Sequence, residues 1–452
     1  MTKNKFMVVL MATALMATTA CRTTENYDPE NYEGIMSEAF PVNNVDKSHN
    51  WVTFSECTAN IEVNMENGKS YMVKVYENDP TANNTGTVMV QGMVESGSAL
   101  KANFSYPQTA TTFYVAIVDN GTTYLQSVTV KNGMVSANIT PASLQSMKST
   151  TATIADEGFD MAYCFEDCFP EPGDFDYNDA VLGVKMKKTV NAKQTKIELE
   201  PSIRAVGSNK LMAAALHIAG LKEDDIESVE WNGALFTYYA YGMGNFYDED
   251  KNLMFPQKQP EKGYEVTRYQ NDDIYIPLTN DLHYAISGEK TNNFGMVDRI
   301  NYNTMLESQK PEPTEGGEVI VIADDVPAVT GNVVITLKEG VGDKNITFKD
   351  LDMFIIEEYN GIIWEIHTYI YKKKLVAFPD GYYEDNIYPW ALAVPGKGFR
   401  WPAEGMEIGT YKTSSVLGGA YQDINHSFGQ WASDRTIARD WYKYPTMIMV
   451  YN

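Results

Sequence analysis

The stretch from Phe165 to Asp179 reads FEDCFPEPGDFDYND and holds six carboxylates and one amide with no basic residue among them. Crowding that many like charges in a folded chain is costly unless a cation sits among them. An oxygen-rich ligand set selects a hard metal ion, and calcium fits best. Asp174, Asp176 and Asn178 are spaced by two, so an extended backbone projects them from one side and turns Phe175 and Tyr177 toward a core. The EF-hand comparison fails. Its sixth position is Asp179 where glycine is needed, and its twelfth is Lys185 where a bidentate glutamate belongs. Further ligands must come from elsewhere, and Pro170, Pro172 and Gly173 can turn the chain back toward Glu166 and Asp167. The candidate metal set is therefore Glu166, Asp167, Asp174, Asp176, Asn178 and Asp179. The alternative is an Asp/Asn-rich turn that satisfies its own backbone donors without a metal.

At 452 residues the chain suits roughly two or three domains. The net charge of −24 argues against nucleic acid and anionic lipid as partners. Lys3 and Lys5 precede an apolar run from Phe6 to Met16, and small residues Ala17 to Ala20 lead to Cys21. Residues 1–20 read as a signal peptide too short to span a membrane, and Cys21 as a lipidation site, so membrane contact runs only through a lipid anchor. Ordinary secretion with an incidental cysteine is the alternative. Cys164 and Cys168 either close a small loop in an oxidising compartment or stay as buried free thiols. Cys-x3-Cys without a second cluster is a poor zinc pattern.

Residues 21–45 are polar and read as a tether. Residues 46–138 carry short alternating segments, such as Tyr71–Tyr76 and the stretch around Phe113 to Val118, separated by Asn67-Gly68, Asn120-Gly121 and Asn132-Gly133. This predicts an immunoglobulin-like β-sandwich. Residues 139–158 are rich in Ser and Thr and read as a linker. Residues 159–452 form a larger β-rich unit, sandwich- or jelly-roll-like, with insertions. Its expected strands include Ala180–Met186, Lys196–Ile203, Asp273–Leu278, Glu318–Ile322, Val333–Leu337 and Trp364–Tyr371. Leu211–Ile218 is either a helix, for its alanines, or a buried strand. The fold class is mainly β.

The acidic motif, Phe165-Glu166-Asp167 followed by Gly173-Asp174-Phe175-Asp176-Tyr177-Asn178-Asp179, resembles the signature of the LruC-type domain of secreted and surface-exposed bacterial lipoproteins. The likeness extends through Trp364-Glu365-Ile366-His367, Tyr388-Pro389-Trp390-Ala391, Phe399, Trp401-Pro402, Glu404, Phe428, Trp431 and Asp440-Trp441-Tyr442. It departs at Cys168, where the family has an aliphatic or aromatic residue, and lacks a proline near Leu351–Phe354. The resemblance implies a β-rich, calcium-binding lipoprotein at the outer membrane or surface of a Gram-negative bacterium, with no assigned activity.

Glu365 and His367 share a strand face and offer half a metal or acid–base site, or a hydrogen-bonded structural pair. No zinc-hydrolase spacing, nucleophile elbow or phosphate-binding glycine loop occurs. Phe236, Tyr238, Tyr239, Tyr241, Phe246 and Tyr247 before Asp248-Glu249-Asp250 offer a sugar-stacking platform or a strand core followed by an acidic turn. The expected function is a non-enzymatic, lipid-anchored surface protein with a structural calcium site, acting in adhesion or interaction, with a surface protein or glycan as the candidate partner. The alternatives are a glycan-binding module for polysaccharide capture and a glycoside hydrolase.

Overall fold

A computed structural model describes residues 31–243, 255–256, 267–270, 272–287, 299–309, 326–359, 362–371, 387–409 and 419–451. The signal peptide, Cys21, the expected strand Glu318–Ile322, and Phe246 to Asp250 lie outside these residues. The described chain is mainly β, as expected, with sheets arranged as a sandwich. Among the described residues no helix is long and apolar enough to cross a membrane.

The first seven strands are β1 (Phe54–Val63), β2 (Ser70–Tyr76), β3 (Thr85–Glu95), β4 (Ser98–Pro107), β5 (Thr112–Asp119), β6 (Thr122–Thr129) and β7 (Met134–Ile139). Alternation works as the sequence predicts. Tyr71, Val73 and Val75 are buried along β2, and Cys57, Ala59, Ile61 and Val63 along β1. Between β5 and β6, Asn120 and Gly121 both take positive φ (48° and 78°), the backbone of a tight hairpin that Asn-Gly adopts at low cost. Next come β8 (Lys148–Thr150), β9 (Ala155–Phe165), β10 (Ala180–Val190), β11 (Thr195–Val206), β12 (Leu211–Ile218), β13 (Ile226–Gly233) and β14 (Arg268–Gln270). The last are β15 (Asp273–Thr279), β16 (Val329–Leu337), β17 (Leu351–Tyr359), β18 (Ile362–Ile366) and β19 (Ala391–Pro395).

Three sheets result. One is three-stranded, in the order β4-β1-β7, and one is five-stranded, in the order β14-β15-β12-β17-β18. The third is eleven-stranded and runs β13-β16-β11-β10-β9-β3-β2-β5-β6-β8, with β19 added on β9. This large sheet crosses the position read as a domain boundary. β3 pairs in parallel with the start of β9, from Thr85 opposite Ala155 to Val88 opposite Gly158. Farther along, β19 pairs antiparallel with β9 on its other edge, with Leu392 opposite Cys164.

Three segments differ from their sequence reading. Residues 139–158, read as a linker, hold the end of β7, a short helix, β8 and the start of β9. The tether reading fails from residue 32 onward. A helix over Tyr32–Ala39 buries Tyr32 and Met36, and Phe40 beyond it packs against Trp51, Phe175, Tyr388 and Phe428. Leu211–Ile218 resolves as a strand. β15 and β17 flank it on both edges, so all but its first residue are buried and no period survives. Trp364–Tyr371 is strand only as far as Ile366.

Of the late tryptophans, Trp364, Trp390, Trp431 and Trp441 are core and Trp401 is half-buried. Trp431 and Trp441 are fully buried, 5.6 Å apart, with Phe428 edge-on to both. Cys164 lies buried on β9 as a free thiol, so the small disulfide loop with Cys168 does not form.

Candidate metal centre

The acidic segment is the connection between β9 and β10, whose register brings Phe165 opposite Ala180. It is not extended. Phe175 and Tyr177 take positive φ, 56° and 54°, where a residue with a Cβ is strained by about 1 kcal/mol or more each. Burial of both rings offsets that cost, since Phe175 and Tyr177 are nearly inaccessible to solvent. The turned backbone aims two amides at one carboxylate. Phe175 N–H donates to Glu166 Oε2 (3.2 Å) and Tyr177 N–H to Glu166 Oε1 (2.6 Å).

Distant segments hold the loop from outside. Tyr177 OH donates to Pro389 O, Ile408 N–H to Phe175 O, and Gly405 N–H to Asp176 Oδ2, each at 2.8 Å. Asp176 and Asn178 adjoin: the Asn178 amide nitrogen donates to Asp176 Oδ2 (2.8 Å) and Pro402 O (3.2 Å).

Of the six residues singled out from sequence, Glu166, Asp174 and Asp176 place carboxylate oxygens within 4.8 Å of one another. Asn178 contributes a different sign. Its Oδ1 is buried with no hydrogen-bond partner, a cost of roughly 1–3 kcal/mol for a polar atom left so. A cation ligand would remove that penalty. Asp167 and Asp179 are engaged otherwise. Ser208 Oγ donates to Asp167 Oδ2, Lys210 Nζ lies 3.6 Å from Asp167 Oδ1, and Asp179 Oδ2 accepts the Asp167 N–H at 2.7 Å.

Two glycines leave room around these oxygens. A Cβ on Gly173 would fall 2.2 Å from Glu166 Oε2, and one on Gly207 would fall 2.4 Å from Asn178 Oδ1 and 3.2 Å from Glu404 Oε2. Lys210, Ser208 and Glu404 were not among the candidate ligands. Lys210 sits 43 residues from Asp167, beyond any local pattern, whereas Glu404 lay inside a motif already singled out.

The electrostatics match a cation site. Burial first, then Asp174, pushes Glu166 well above the usual carboxylate range, although the two amides oppose this. Burial, Asp174 and Glu166 do the same to Asp176, and burial with Asp167 raises Asp179. Burial and Asp174 raise Glu404 to about 7. Burial, and after it the charge of Asp167, raises Asp174 to about 6, but its side chain reaches solvent, and water tempers that shift. The residues thus fit an oxygen-coordinated divalent ion.

The Glu365–His367 pair belongs to a second cluster. His367 Nδ1 lies 2.7 Å from Asp352 Oδ2 and its Nε2 3.3 Å from Glu365 Oε2. His217 Nε2 lies 2.9 Å from Asp273 Oδ2, and its Nδ1 3.8 Å from the same Asp352 oxygen. All five side chains are buried in the five-stranded sheet. Burial opposes a charge on His367, but Asp352 and Glu365 outweigh it and raise the ring to about 9. In the aromatic segment, Phe236 and Tyr238 are core, while Tyr239 stacks on Tyr284 at 4.4 Å beside the exposed Tyr241.

No family model matches the chain, and no curated protein matches it. Among solved structures, a candidate lipoprotein of Bacteroides ovatus is 13% identical with a TM-score of 0.44, covering 84% of this chain and 99% of the other. The major pilin SpaD of Corynebacterium diphtheriae is 10% identical with a TM-score of 0.15, covering 70% of this chain and 66% of the pilin. The RrgB pilus protein of Streptococcus pneumoniae is 10% identical with a TM-score of 0.16, covering 69% and 49%. At such TM-scores the likeness carries no functional inference.

Proposed function

We propose that the chain is a non-enzymatic, lipid-anchored surface protein of a Gram-negative bacterium, built around a structural calcium ion and acting in adhesion or interaction. The observation that carries the calcium site is the convergence of Glu166, Asp174 and Asp176 beside the unpartnered, buried Asn178 Oδ1. These four residues would hold the ion, which would supply the positive charge that the loop lacks. Its ligands and clamps come from the β9–β10 connection and from residues 389–408, so it would tie distant segments rather than carry a reaction. The lipid anchor at Cys21 rests on the N-terminal sequence pattern.

Thermal melting of the full chain with calcium, with magnesium and with chelator tests the site. At calcium about 100-fold above Kd the folded state gains about 2.7 kcal/mol, seen as a rise in Tm. The double variant Asp174→Ala with Asp176→Ala should melt alike under all three conditions. An unchanged Tm for the wild type across them would overturn the metal reading.

A further inference from the structure

In a protein with a net charge of −24, one pocket of about 400 Å³ is lined by Asn50, Val52, Gln108, Arg435, Thr436 and Arg439, two arginines without a carboxylate. Its volume is in the range of small-molecule sites. Three distant pieces of chain build it, and they rest on rigid core. Trp51, between Asn50 and Val52, donates its indole N–H to Ile387 O (2.8 Å), lies parallel to Phe428, and meets Trp431 edge-on at 5.5 Å. The chain bearing the arginines leaves the helix over Phe428–Ser433.

The polar groups are already oriented. Gln108 Nε2 donates to Val52 O (2.8 Å) and Phe54 O (3.2 Å), which leaves its Oε1 as an acceptor. Asn50 Oδ1 accepts the Val52 N–H (3.4 Å), which leaves its NH2 as a donor. Thr436 Oγ1 donates to Asp434 Oδ1 (2.6 Å) and keeps its lone pairs. Arg435 is fixed through Ser48 O and lies 4.0 Å from Asp46 Oδ2. Arg439 has no ion pair among the described residues, though its charge reaches Tyr106.

A guanidinium without a partner in so acidic a chain is a binding group for an anion. Inorganic sulfate would use only donors, and the Gln108 oxygen would face it without a proton. A ligand carrying both a carboxylate and hydroxyls satisfies every group. We propose that this pocket binds a uronic acid unit of an acidic polysaccharide, with its carboxylate on Arg439 and Arg435 and its hydroxyls on Asn50, Gln108 and Thr436. The proposal supplies a partner class for the interaction role proposed above and rests on that role only for its setting.

Titration of the full chain with D-glucuronate, D-glucose, inorganic sulfate and inorganic phosphate, followed by saturation-transfer NMR, tests it. Glucuronate should bind with affinity near the millimolar range, at least about tenfold tighter than glucose or either inorganic ion. Arg439→Gln should weaken glucuronate about tenfold with Tm unchanged, and Arg439→Lys should keep part of the affinity. Glucuronate binding no better than glucose, inorganic anions binding as well, or an Arg439→Gln variant equal to wild type would each overturn the proposal. The titration is run at fixed calcium, so a missing calcium shift in Tm bears on Asp174 and Asp176 and leaves this pocket standing.

Discussion

The β9–β10 loop and the five-stranded sheet both concentrate buried carboxylates, yet they neutralise them differently. In the sheet, the cation is internal. His367 bridges Asp352 and Glu365, and His217 lies between Asp273 and Asp352. In the loop, Lys210 reaches Asp167 and Glu357, but no basic side chain among the described residues pairs with Glu166, Asp174 or Asp176. The first cluster carries basic side chains of its own; the second calls for something added. Only the second should therefore respond to chelation, and only the first to the loss of a histidine.

The largest expected break comes from His367→Ala. It removes the shared imidazole from two buried carboxylates and should destabilise the fold by about 3–5 kcal/mol in denaturant unfolding, with the calcium response intact. If the variant is as stable as wild type, the sheet cluster does not rest on a histidinium. The same residue sets a pH dependence. Its pKa is raised from 6.5 to about 9 on folding, so its contribution is full below 6.5 and is lost as pH rises through 9. The difference in stability between wild type and His367→Gln should shrink by roughly 3 kcal/mol over that window. Gly207→Ala probes the other cluster. Its Cβ would press on Asn178 Oδ1, costing about 1–3 kcal/mol and reducing the calcium-dependent rise in Tm. A full calcium response in this variant would remove Asn178 from the ligand set. Smallest of all, Lys185→Ala removes a salt bridge to Glu200 whose partners are 40% and 41% exposed, and should change stability by less than about 1 kcal/mol.

What could be read from the sequence was local. Val73 and Val75 announce a half-buried strand because the period-two pattern is carried by neighbours in the chain. The Asn120-Gly121 turn carries its own φ requirement. The acidic loop declared itself by density of charge, and its mismatch to an EF-hand left the remaining ligands open. Three things were not legible. The backbone at Phe175 and Tyr177 is turned, not extended, because Glu166 draws their amides inward. Lys210 meets Asp167 only after β10 and β11 have folded back. Phe40 looked like part of a polar tether because its partners Tyr388 and Phe428 lie more than 300 residues away.

The pairing of β9 with the early strand β3 and the late strand β19 has a consequence for the order of assembly. Strands β1 to β7 make up the first third of the chain, yet Val52 bridges to Ala393 and Trp51 is closed over by Phe428 and Trp431. A growing chain cannot finish its earliest strands until almost its last residues are available. Such distant contacts make closure slow, because a long loop must be ordered before they form. The first-made part of this protein is therefore among the last to be completed.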